Sequence, residues 1–587
     1  MQSSQTRSGH HAARSELGAV LASCRGAFIG TALISGMSNI LMLTGAMFML
    51  EVYDRVIPSR SMPTLVGLGI LVVGLFAALG LLEGIRGRIL SRIGGTLDET
   101  LSGRVYETLV HLPLRVGNRS EGNQPLRDLD AIRAFLSSLG PVALFDLPWI
   151  PLYLAICFVF HPLIGVTALS GAIILVVLTL LTEVLMRAPT KSATQAAVAR
   201  NNLAETSRRN AEALTAMGMV GRIAALWSDA NRDYMGSQRR ASDIGGGLGA
   251  TSKVLRMMLQ SVVLGVGGYL VIHQQATAGI IIAGSILSAR ALAPVDLAIA
   301  HWKGFVVARQ SWQRLTRLLA ALPAQGARMS LLAPSRSVAV ESTSVAPPGG
   351  QRIVVRDVGF MLEAGQGLGI IGVSGSGKSS LARALVGVWQ PVRGKVRLDG
   401  AGLDQWPSEA LGEHIGYLPQ DVELMAGTVA QNIARFEEEP DSDAVIAAAK
   451  AVGVHELIVS LPEGYNTSVG EQGVGLSAGQ TQRIALARAV YRDPFLVVLD
   501  EPNSNLDSEG DDALTKAIMG VRERKGIVIV IAHRPSAIAG VDKLLVMNQG
   551  RMQAFGPKDE VLAKVLQRPL EPPQPLKVVP ESGSVAS

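Results

Sequence analysis

The most specific chemistry in the chain is carried by eight residues, Gly372-Val373-Ser374-Gly375-Ser376-Gly377-Lys378-Ser379. The glycines allow the backbone to turn its N–H groups inward around phosphate oxygens. Lys378 supplies a cation that can reach the β- and γ-phosphates of a nucleotide, and the Ser379 hydroxyl is a hard oxygen ligand suited to Mg²⁺. The flanks agree. Leu368-Gly369-Ile370-Ile371 is an apolar run expected to be a buried strand, and Ser380-Leu381-Ala382-Arg383-Ala384-Leu385-Val386 is expected to be a helix. The N-terminus of that helix adds partial positive charge at the same spot. Strand, glycine loop and helix with G-x-x-x-x-G-K-S spacing make a phosphate-binding loop, with Gly372, Ser374, Gly375, Ser376, Gly377, Lys378, Ser379 and Ser380 as its expected ligand contacts. A chance Gly/Ser loop would account for neither the Lys-Ser pair nor the flanks.

Two further stretches belong to the same chemistry. Phe495-Leu496-Val497-Val498-Leu499-Asp500-Glu501 reads as a buried strand ending in two carboxylates. Asp500 is placed to bind Mg²⁺ directly or through water, and Glu501 to polarise an attacking water. The competing reading is a strand that ends in a solvated acidic turn. Leu476-Ser477-Ala478-Gly479-Gln480 opens a helix through residues 481–490, so Ser477, Gly479 and Gln480 make a second anion site at a helix N-terminus. By itself that would be an ordinary helix cap. The loop at 372–379 already holds the phosphates of this chain, so a second phosphate-binding helix end is expected to face nucleotide on another copy. That implies a homodimer with two composite sites.

These motifs need a scaffold. Beyond residue 337 the pattern turns to short β-like runs at 338–340, 353–355, 367–372, 395–398 and 414–418, followed by the apolar strands 495–499 and 527–531. Strands alternating with helices around a phosphate loop predict a parallel α/β core. The first half is different. Across all 587 residues the chain is 48% hydrophobic and only 17% charged, with a mean hydropathy of +0.31. That is too apolar for an ordinary soluble enzyme of such length, which would suffice for about three or four domains. The net charge of +6 matters less than its placement. Cys24 and Cys157 form neither a disulfide framework nor a metal-ligand spacing.

Six apolar runs are expected to span a membrane: 27–50, 62–82, 139–160, 163–182, 257–272 and 277–299. The first would be roughly 36 Å long as a helix, enough for a bilayer with some tilt. The loop after the second run holds Arg86, Arg88, Arg92, Arg104, Arg115, Arg119, Arg127 and Arg133, and the loop after the fourth is equally basic. The positive-inside rule puts both loops, both termini and everything after residue 299 in the cytoplasm. Both loops have helical periodicity, so they read as cytoplasmic extensions of the membrane helices. A turn is expected near 118–125 in the first and a short helix within 209–220 in the second. Asp146, Arg290 and Asp296 lie in or near the spans, where charges face water or a partner. They mark either a polar translocation path or, for the last two, the cytoplasmic mouth of the sixth helix. The expected organisation is a cytoplasmic N-terminal tail at 1–26, with no room for an additional domain, and a six-helix transmembrane domain at 27–322. A linker at 323–337, an α/β phosphate-loop nucleotide-binding domain at 338–565 and a Pro-rich, disordered tail at 566–587 follow. A cleaved signal peptide is disfavoured because the first apolar run is too long and no small-residue cleavage site closes it.

Taken together, the motifs of the second half resemble the nucleotide-binding domain of ABC transporters. The resemblance implies ATP and Mg²⁺ as cofactors and assigns further roles. Leu476–Gln480 is similar to the family signature, with Ala478 in place of the first glycine. Gln420, in Tyr417-Leu418-Pro419-Gln420, would contact Mg²⁺ or the attacking water. Asp507, in Ser504-Asn505-Leu506-Asp507, would belong to the family's D-loop, and His533 would assist Glu501. The stretch 467–473, T-S-V-G-E-Q-G, is similar to the one before the signature in exporters. One departure stands out. The family usually carries an aromatic that stacks on adenine, whereas Ser344-Val345-Ala346-Pro347-Pro348-Gly349 has none, leaving Pro347 to pack on the base.

Six spans before one motor resemble an exporter half-transporter. Residues 49–61 (M-L-E-V-Y-D-R-V-I-P-S-R-S), 346–349 (A-P-P-G) and 210–219 (N-A-E-A-L-T-A-M-G-M) resemble the type I secretion exporters of proteases and RTX proteins. That resemblance implies a bacterial inner-membrane protein. Its implied partners are a second copy of itself, a periplasmic adaptor protein, an outer-membrane channel, the surrounding lipid and an unfolded protein substrate bearing a C-terminal signal, with no nucleic acid. Two other readings remain open at this point: a lipid or small-molecule exporter sharing every nucleotide motif, and a membrane-anchored regulatory ATPase that transports nothing.

Overall fold

The computed structural model describes residues 16–117, 122–323, 331–470 and 475–566. The chain divides into two compact units, residues up to Leu112 with Ser120–Ala324 in the first, and Pro113–Arg119 with Gln325 onward in the second.

The first unit is helical. Among the described residues six helices are long and apolar enough to cross a membrane: α1 (Arg25–Ser59), α2 (Met62–Arg115), α3 (Gly140–Phe160), α4 (Pro162–Arg209), α5 (Val220–Ile272) and α6 (Ala278–Ala321). They contain the six apolar runs expected from the sequence, so this is a multi-pass membrane protein. Helices α2, α4, α5 and α6 run for 54, 48, 53 and 44 residues, more than twice the ~20 that a bilayer requires. The excess forms the expected helical extensions, stabilised in part by pairs such as Glu205 with Arg209, 3.1 Å apart at i,i+4. A short helix, Ala211–Ala216, lies between α4 and α5 as anticipated. Residues 118–121 of the turn expected near 118–125 lie outside the described residues, and a helix over Gln124–Leu136 begins within its last two positions.

The N-terminal tail expected at 1–26 includes a described helical segment. Residues 16–23 are helical, and Leu17 packs among Leu97, Leu101, Leu315 and Leu319. Leu17, Val20 and Leu21 share one helical face, a spacing obscured by the polar composition around them.

Two acids inside this unit, Asp146 and Asp296, are paired with arginines. Arg86 of α2 donates to both Asp146 oxygens, at 3.1 and 3.3 Å, and to Ser35 at 3.1 Å. Asn39 of α1 donates to the same carboxylate at 2.9 Å, and Tyr153 of α3 donates to the Asn39 carbonyl at 2.8 Å. Arg86 and Asp146 are both buried. Asp296 of α6 accepts from Ser252 at 2.7 Å and pairs with Arg256 of α5 at 2.9 Å. In this conformation both acids therefore join helices, and neither is an unpaired charge lining an open path. Arg290 is exposed.

Among the described residues the second unit contains twelve strands. β1 (Ser337–Val345), β2 (Val355–Glu363), β4 (Arg393–Leu398) and β5 (Ala401–Gly402) form an antiparallel sheet in the order β2-β1-β4-β5. β3 (Gly367–Gly372), β6 (Ile415–Leu418), β9 (Leu496–Asp500), β10 (Ile527–Ile531), β11 (Lys543–Asn548) and β12 (Arg551–Pro557) form the main sheet in the order β12-β11-β3-β10-β9-β6. Only its edge pair β11–β12 is antiparallel. β7 (Gly427–Thr428) and β8 (Ser468–Val469) make a small separate pair. A parallel sheet covered on both faces needs strands that are apolar throughout, and every residue of β9 and β10 is buried. Each buried Val, Leu or Ile contributes about 1.5–3 kcal/mol. The strand expected at 353–355 lies instead at Val355–Glu363, where the alternating Val358, Phe360 and Leu362 point inward. The more conspicuous Ile353-Val354-Val355 run had masked that alternation.

The Arg86–Asp146 pair sets a stability prediction. Asp146→Ala leaves a buried guanidinium unpaired and should cost about 3–5 kcal/mol, while Arg86→Met combined with Asp146→Leu should recover most of it. Unfolding temperatures of detergent-solubilised protein measure both, and equal losses in the single and double variants would contradict the pairing argument.

Candidate nucleotide site

Three parallel strands end side by side. β10 pairs with β3 on one side, Ile531 opposite Ile370, and with β9 on the other, Ile531 opposite Asp500. The phosphate loop leaves β3, the two carboxylates leave β9, and His533 follows β10. The C-terminal edge of the sheet therefore gathers three groups that lie far apart in sequence.

After β3 the chain turns through Val373–Gly377 into α7 (Lys378–Leu385). Gly377 caps this helix at φ +94°, where a Cβ would come 2.9 Å from the Val354 carbonyl. Gly375, at φ +76°, would meet nothing within 4 Å, which leaves room for a ligand beside the loop. Lys378 is 5% exposed. Its Nζ donates to the Gly372 and Val373 carbonyls at 3.0 and 3.1 Å. Burial lowers its pKa, opposed by Glu501 and Asp500. The ammonium thus lies against the loop's own carbonyls, partners that phosphate oxygens can replace.

Ser379 donates to Asp500 Oδ1 at 3.2 Å. Burial is the main cause of an Asp500 pKa above the usual carboxylate range, and the Ser379 hydrogen bond opposes it. Asp500 Oδ2 and Ser376 Oγ are buried without a hydrogen-bond partner. A hydroxyl beside a buried carboxylate with one unused oxygen is a fitting anchor for Mg²⁺, which keeps several waters and takes its other ligands from substrate phosphates. Among the described residues no group of three His, Cys, Asp or Glu could hold a metal by itself.

Glu501 sits at φ +53°, and its N–H donates to the Ile531 carbonyl at 2.9 Å. Its carboxylate lies 3.1 Å from His533 Nε2. The structure thus brings Lys378, Ser379, Asp500, Glu501 and His533 to one edge. Gln420 arrives at the same edge, two residues beyond Leu418, which pairs with Leu499, and it is exposed.

The other anticipated residues are positioned differently. Ser477 caps α8 (Ala478–Val490). Its Oγ accepts from the Gln480 N–H at 3.3 Å, and the Gln480 side chain accepts from the Ser477 N–H at 2.9 Å. This reciprocal cap explains why the helix starts here. Gly479 lies against the Asn505 backbone, whose carbonyl would be 2.8 Å from an added Cβ. Among the described residues, no hydrogen bond joins Ser477–Gln480 to the phosphate loop of the same chain. Asp507 caps α9 (Ser508–Glu523), accepting from the Gly510 N–H at 2.9 Å, and pairs with Arg483. That N–H, followed by Arg483, lowers its pKa. Asp507 is therefore engaged within its own chain. Of the 467–473 stretch, residues 471–473 lie outside the described residues. The turn after β1 is closed by Gly350 N–H to the Pro347 carbonyl, 2.9 Å.

Sequence reasoning missed Gln482. It is 3% exposed. Its Nε2 donates to the carbonyls of Pro502 at 2.7 Å and Glu501 at 3.2 Å, and to Ser504 Oγ at 3.3 Å, while its Oε1 accepts from the Asn505 N–H at 3.1 Å. One amide thus ties α8 to the backbone that carries Glu501. A glutamine on the inward face of a helix that otherwise buries Ile484, Ala485 and Leu486 was the available signal.

Comparison with known proteins bears on what such a site does. Residues 355–504 match the family described as ABC transporter, and residues 28–295 match the ABC transporter transmembrane region. Over 564 residues the chain is 58% identical to the type I secretion system ATP-binding protein PrsD of Rhizobium meliloti, covering 96% of this chain and 97% of that one. It is 30% identical over 548 residues to the cyclolysin secretion/processing ATP-binding protein CyaB of Bordetella pertussis, covering 90% and 75%. A solved bacterial Atm1-family ABC exporter with ATP bound superposes with a TM-score of 0.77 over 93% of this chain and 97% of that one, at 23% identity, a likeness of fold.

The Gln482 clamp predicts that Gln482→Ala lowers ATP turnover about tenfold, or about 1.4 kcal/mol in barrier, while the apparent affinity for ATP changes less than about twofold. Steady-state kinetics separate the two. Loss of affinity with unchanged maximal turnover would remove the positioning role.

Proposed function

On the premise that this chain belongs to the ABC transporter family, as its two matched regions and its relatives establish, we propose that it is the ATP-driven membrane exporter of a type I secretion system. The observation that carries the reading is the 58% identity to PrsD, which extends over 96% of the chain and so covers the membrane unit as well as the motor. We further propose that it works as a homodimer in a bacterial inner membrane, with the motor in the cytoplasm. It would act with a periplasmic adaptor and an outer-membrane channel, and would pass an unfolded protein bearing a C-terminal signal.

The chemistry follows from the residues at the sheet edge. Lys378 and the N–H groups of Gly375, Ser376 and Gly377 hold the phosphates of ATP. Ser379 and Asp500, with Gln420 beside them, would hold Mg²⁺, which neutralises charge on the β- and γ-phosphate oxygens when bound. Glu501 orients a water and draws on its proton as the oxygen attacks the γ-phosphorus and the bond to the bridging oxygen breaks, releasing ADP and phosphate. His533, 3.1 Å from Glu501, fixes that carboxylate and completes the γ-phosphate contacts. The α8 N-terminus, with Ser477, Gly479 and Gln480, is reserved for ATP on a second copy. The lack of any hydrogen bond from these residues to their own phosphate loop, among those described, supports this assignment. Asp507 shapes the interface loop from its capping position.

Two variants test the motor. Glu501→Gln should keep ATP binding, lose hydrolysis by on the order of a hundredfold or more and accumulate a closed dimer on size-exclusion chromatography; near-normal turnover would remove Glu501 from its role. Lys378→Ala should weaken nucleotide binding itself, as titrated with a fluorescent ATP analogue. The export reading is tested in a Gram-negative host carrying a matching adaptor and channel. Secretion should require both Lys378 and the C-terminal end of the cargo. ATP hydrolysis stimulated by lipid, without protein export, would favour a lipid or small-molecule exporter.

A further inference from the structure

The extensions of α4 and α6, with Gln124 of the Gln124–Leu136 helix, line an open cavity of about 750 Å³ within the first unit. Five cations line it, Arg187, Lys191, Arg309, Arg314 and Arg317, against one carboxylate, Glu183. Two of the five are engaged: Arg309 pairs with Glu183 at 3.7 Å, and Arg314 with Asp128. Arg187, Lys191 and Arg317 have no carboxylate partner among the described residues and are exposed. A concave surface with unneutralised charge of one sign concentrates ligands of the other.

The shape and the remaining lining narrow the ligand. On α4 the lining residues recur at helical spacing from Arg187 to Asn202, a stripe roughly 22 Å long. An extended peptide of about seven residues spans that distance. Gln195, Gln310 and Gln313 lie among the cations. Their amides both donate and accept, so they can pair with the N–H and C=O groups of an unfolded backbone that has no structure of its own to satisfy them. The uncharged run of α4 ends at Thr182. Lipid headgroups occupy only about 5–8 Å beyond the hydrocarbon, so most of the stripe lies deeper in the cytoplasm than headgroups reach.

Building on the export reading, we propose that this trough is a docking site for an extended acidic segment of the exported polypeptide. Carboxylates of the segment meet Arg187, Lys191 and Arg317, and the glutamine amides meet its backbone. Recognition is by charge and extension rather than by a fixed side-chain code, so cargoes of different sequence can share the trough.

The test uses the full-length chain in phosphatidylcholine nanodiscs and a fluorescein-labelled peptide of alternating Asp and Gly, read by fluorescence anisotropy. The acidic peptide should bind saturably and more weakly as salt rises, and its Asn-for-Asp counterpart should not bind. The triple variant Arg187→Gln, Lys191→Gln, Arg317→Gln should weaken binding at least about tenfold. Replacing the same three residues with Glu should transfer preference to a Lys-Gly peptide, a gain that misfolding cannot mimic. Equal binding by wild type and triple variant would overturn the proposal. So would an effect of the variant confined to nanodiscs containing phosphatidylglycerol, which would make the trough a lipid-headgroup site. Export separates the two readings. If wild type exports no protein yet binds the acidic peptide through these residues, the export reading fails and the anion site stands. If wild type and triple variant export cargo equally, the export reading stands and the trough is not its docking site.

Discussion

Everything the motor does depends on the parallel pairing of β3, β10 and β9. The phosphate loop, the Asp500–Glu501 pair and His533 are separated in sequence by more than a hundred residues at the extremes, and none contacts another through local structure. What brings them together is hydrogen-bonded register between strands, β9 and β10 buried from end to end and β3 buried through Ile370. A slip of one residue in β9 would turn Asp500 away from Ser379 and place an apolar side chain there. The apolar composition of these strands is therefore a condition of the chemistry as well as of the fold.

At the end of those strands the electrostatics are deliberately unfinished. Lys378 rests on carbonyls of its own loop, Asp500 keeps one buried oxygen without a partner, and Ser376 does the same. Burial presses both Lys378 and Asp500 toward their neutral forms. Such groups are costly to leave unsatisfied, and a ligand that offers phosphate oxygens and a divalent cation relieves all three at once. Gln482 works in the opposite sense: its amide is fully engaged, and it holds the backbone of Glu501, Pro502 and Asn505 to α8. The helix that Ser477 caps is in this way tied directly to the backbone that carries Glu501.

The membrane unit solves a related problem with less tolerance. Charges in a hydrocarbon environment must be paired, and the Arg86–Asp146–Asn39–Tyr153 network and the Arg256–Asp296–Ser252 cluster do so by linking different helices. Beyond the bilayer the constraint relaxes. There, among the described residues, α4 and α6 carry Arg187, Lys191 and Arg317 without carboxylate partners, a difference that separates residues holding the helices together from residues available to a ligand.

Much of this was legible in the sequence because the signals are local. The phosphate loop is read from eight consecutive residues, the six spans from long apolar runs, and the helical extensions from periodicity that continues past them. The placement of Asp500 and Glu501 at the sheet edge followed from an apolar strand ending in two acids. What the sequence could not decide was which distant groups meet. Asp146 and Asp296 were visible as charges in apolar surroundings, yet whether they faced water or a partner depended on Arg86 and Arg256 arriving from other helices. Gln482 gave only the weak signal of a polar residue on an apolar helix face, since its four partners come from a loop some twenty residues away. The 16–23 helix and the true position of β2 were hidden by composition and by a louder neighbouring run. Hydrophobic pattern and backbone propensity act between near neighbours and can be read along the chain. Ion pairing, amide clamps and the charge of a cavity arise only when separate elements pack, so the tertiary structure alone decided them.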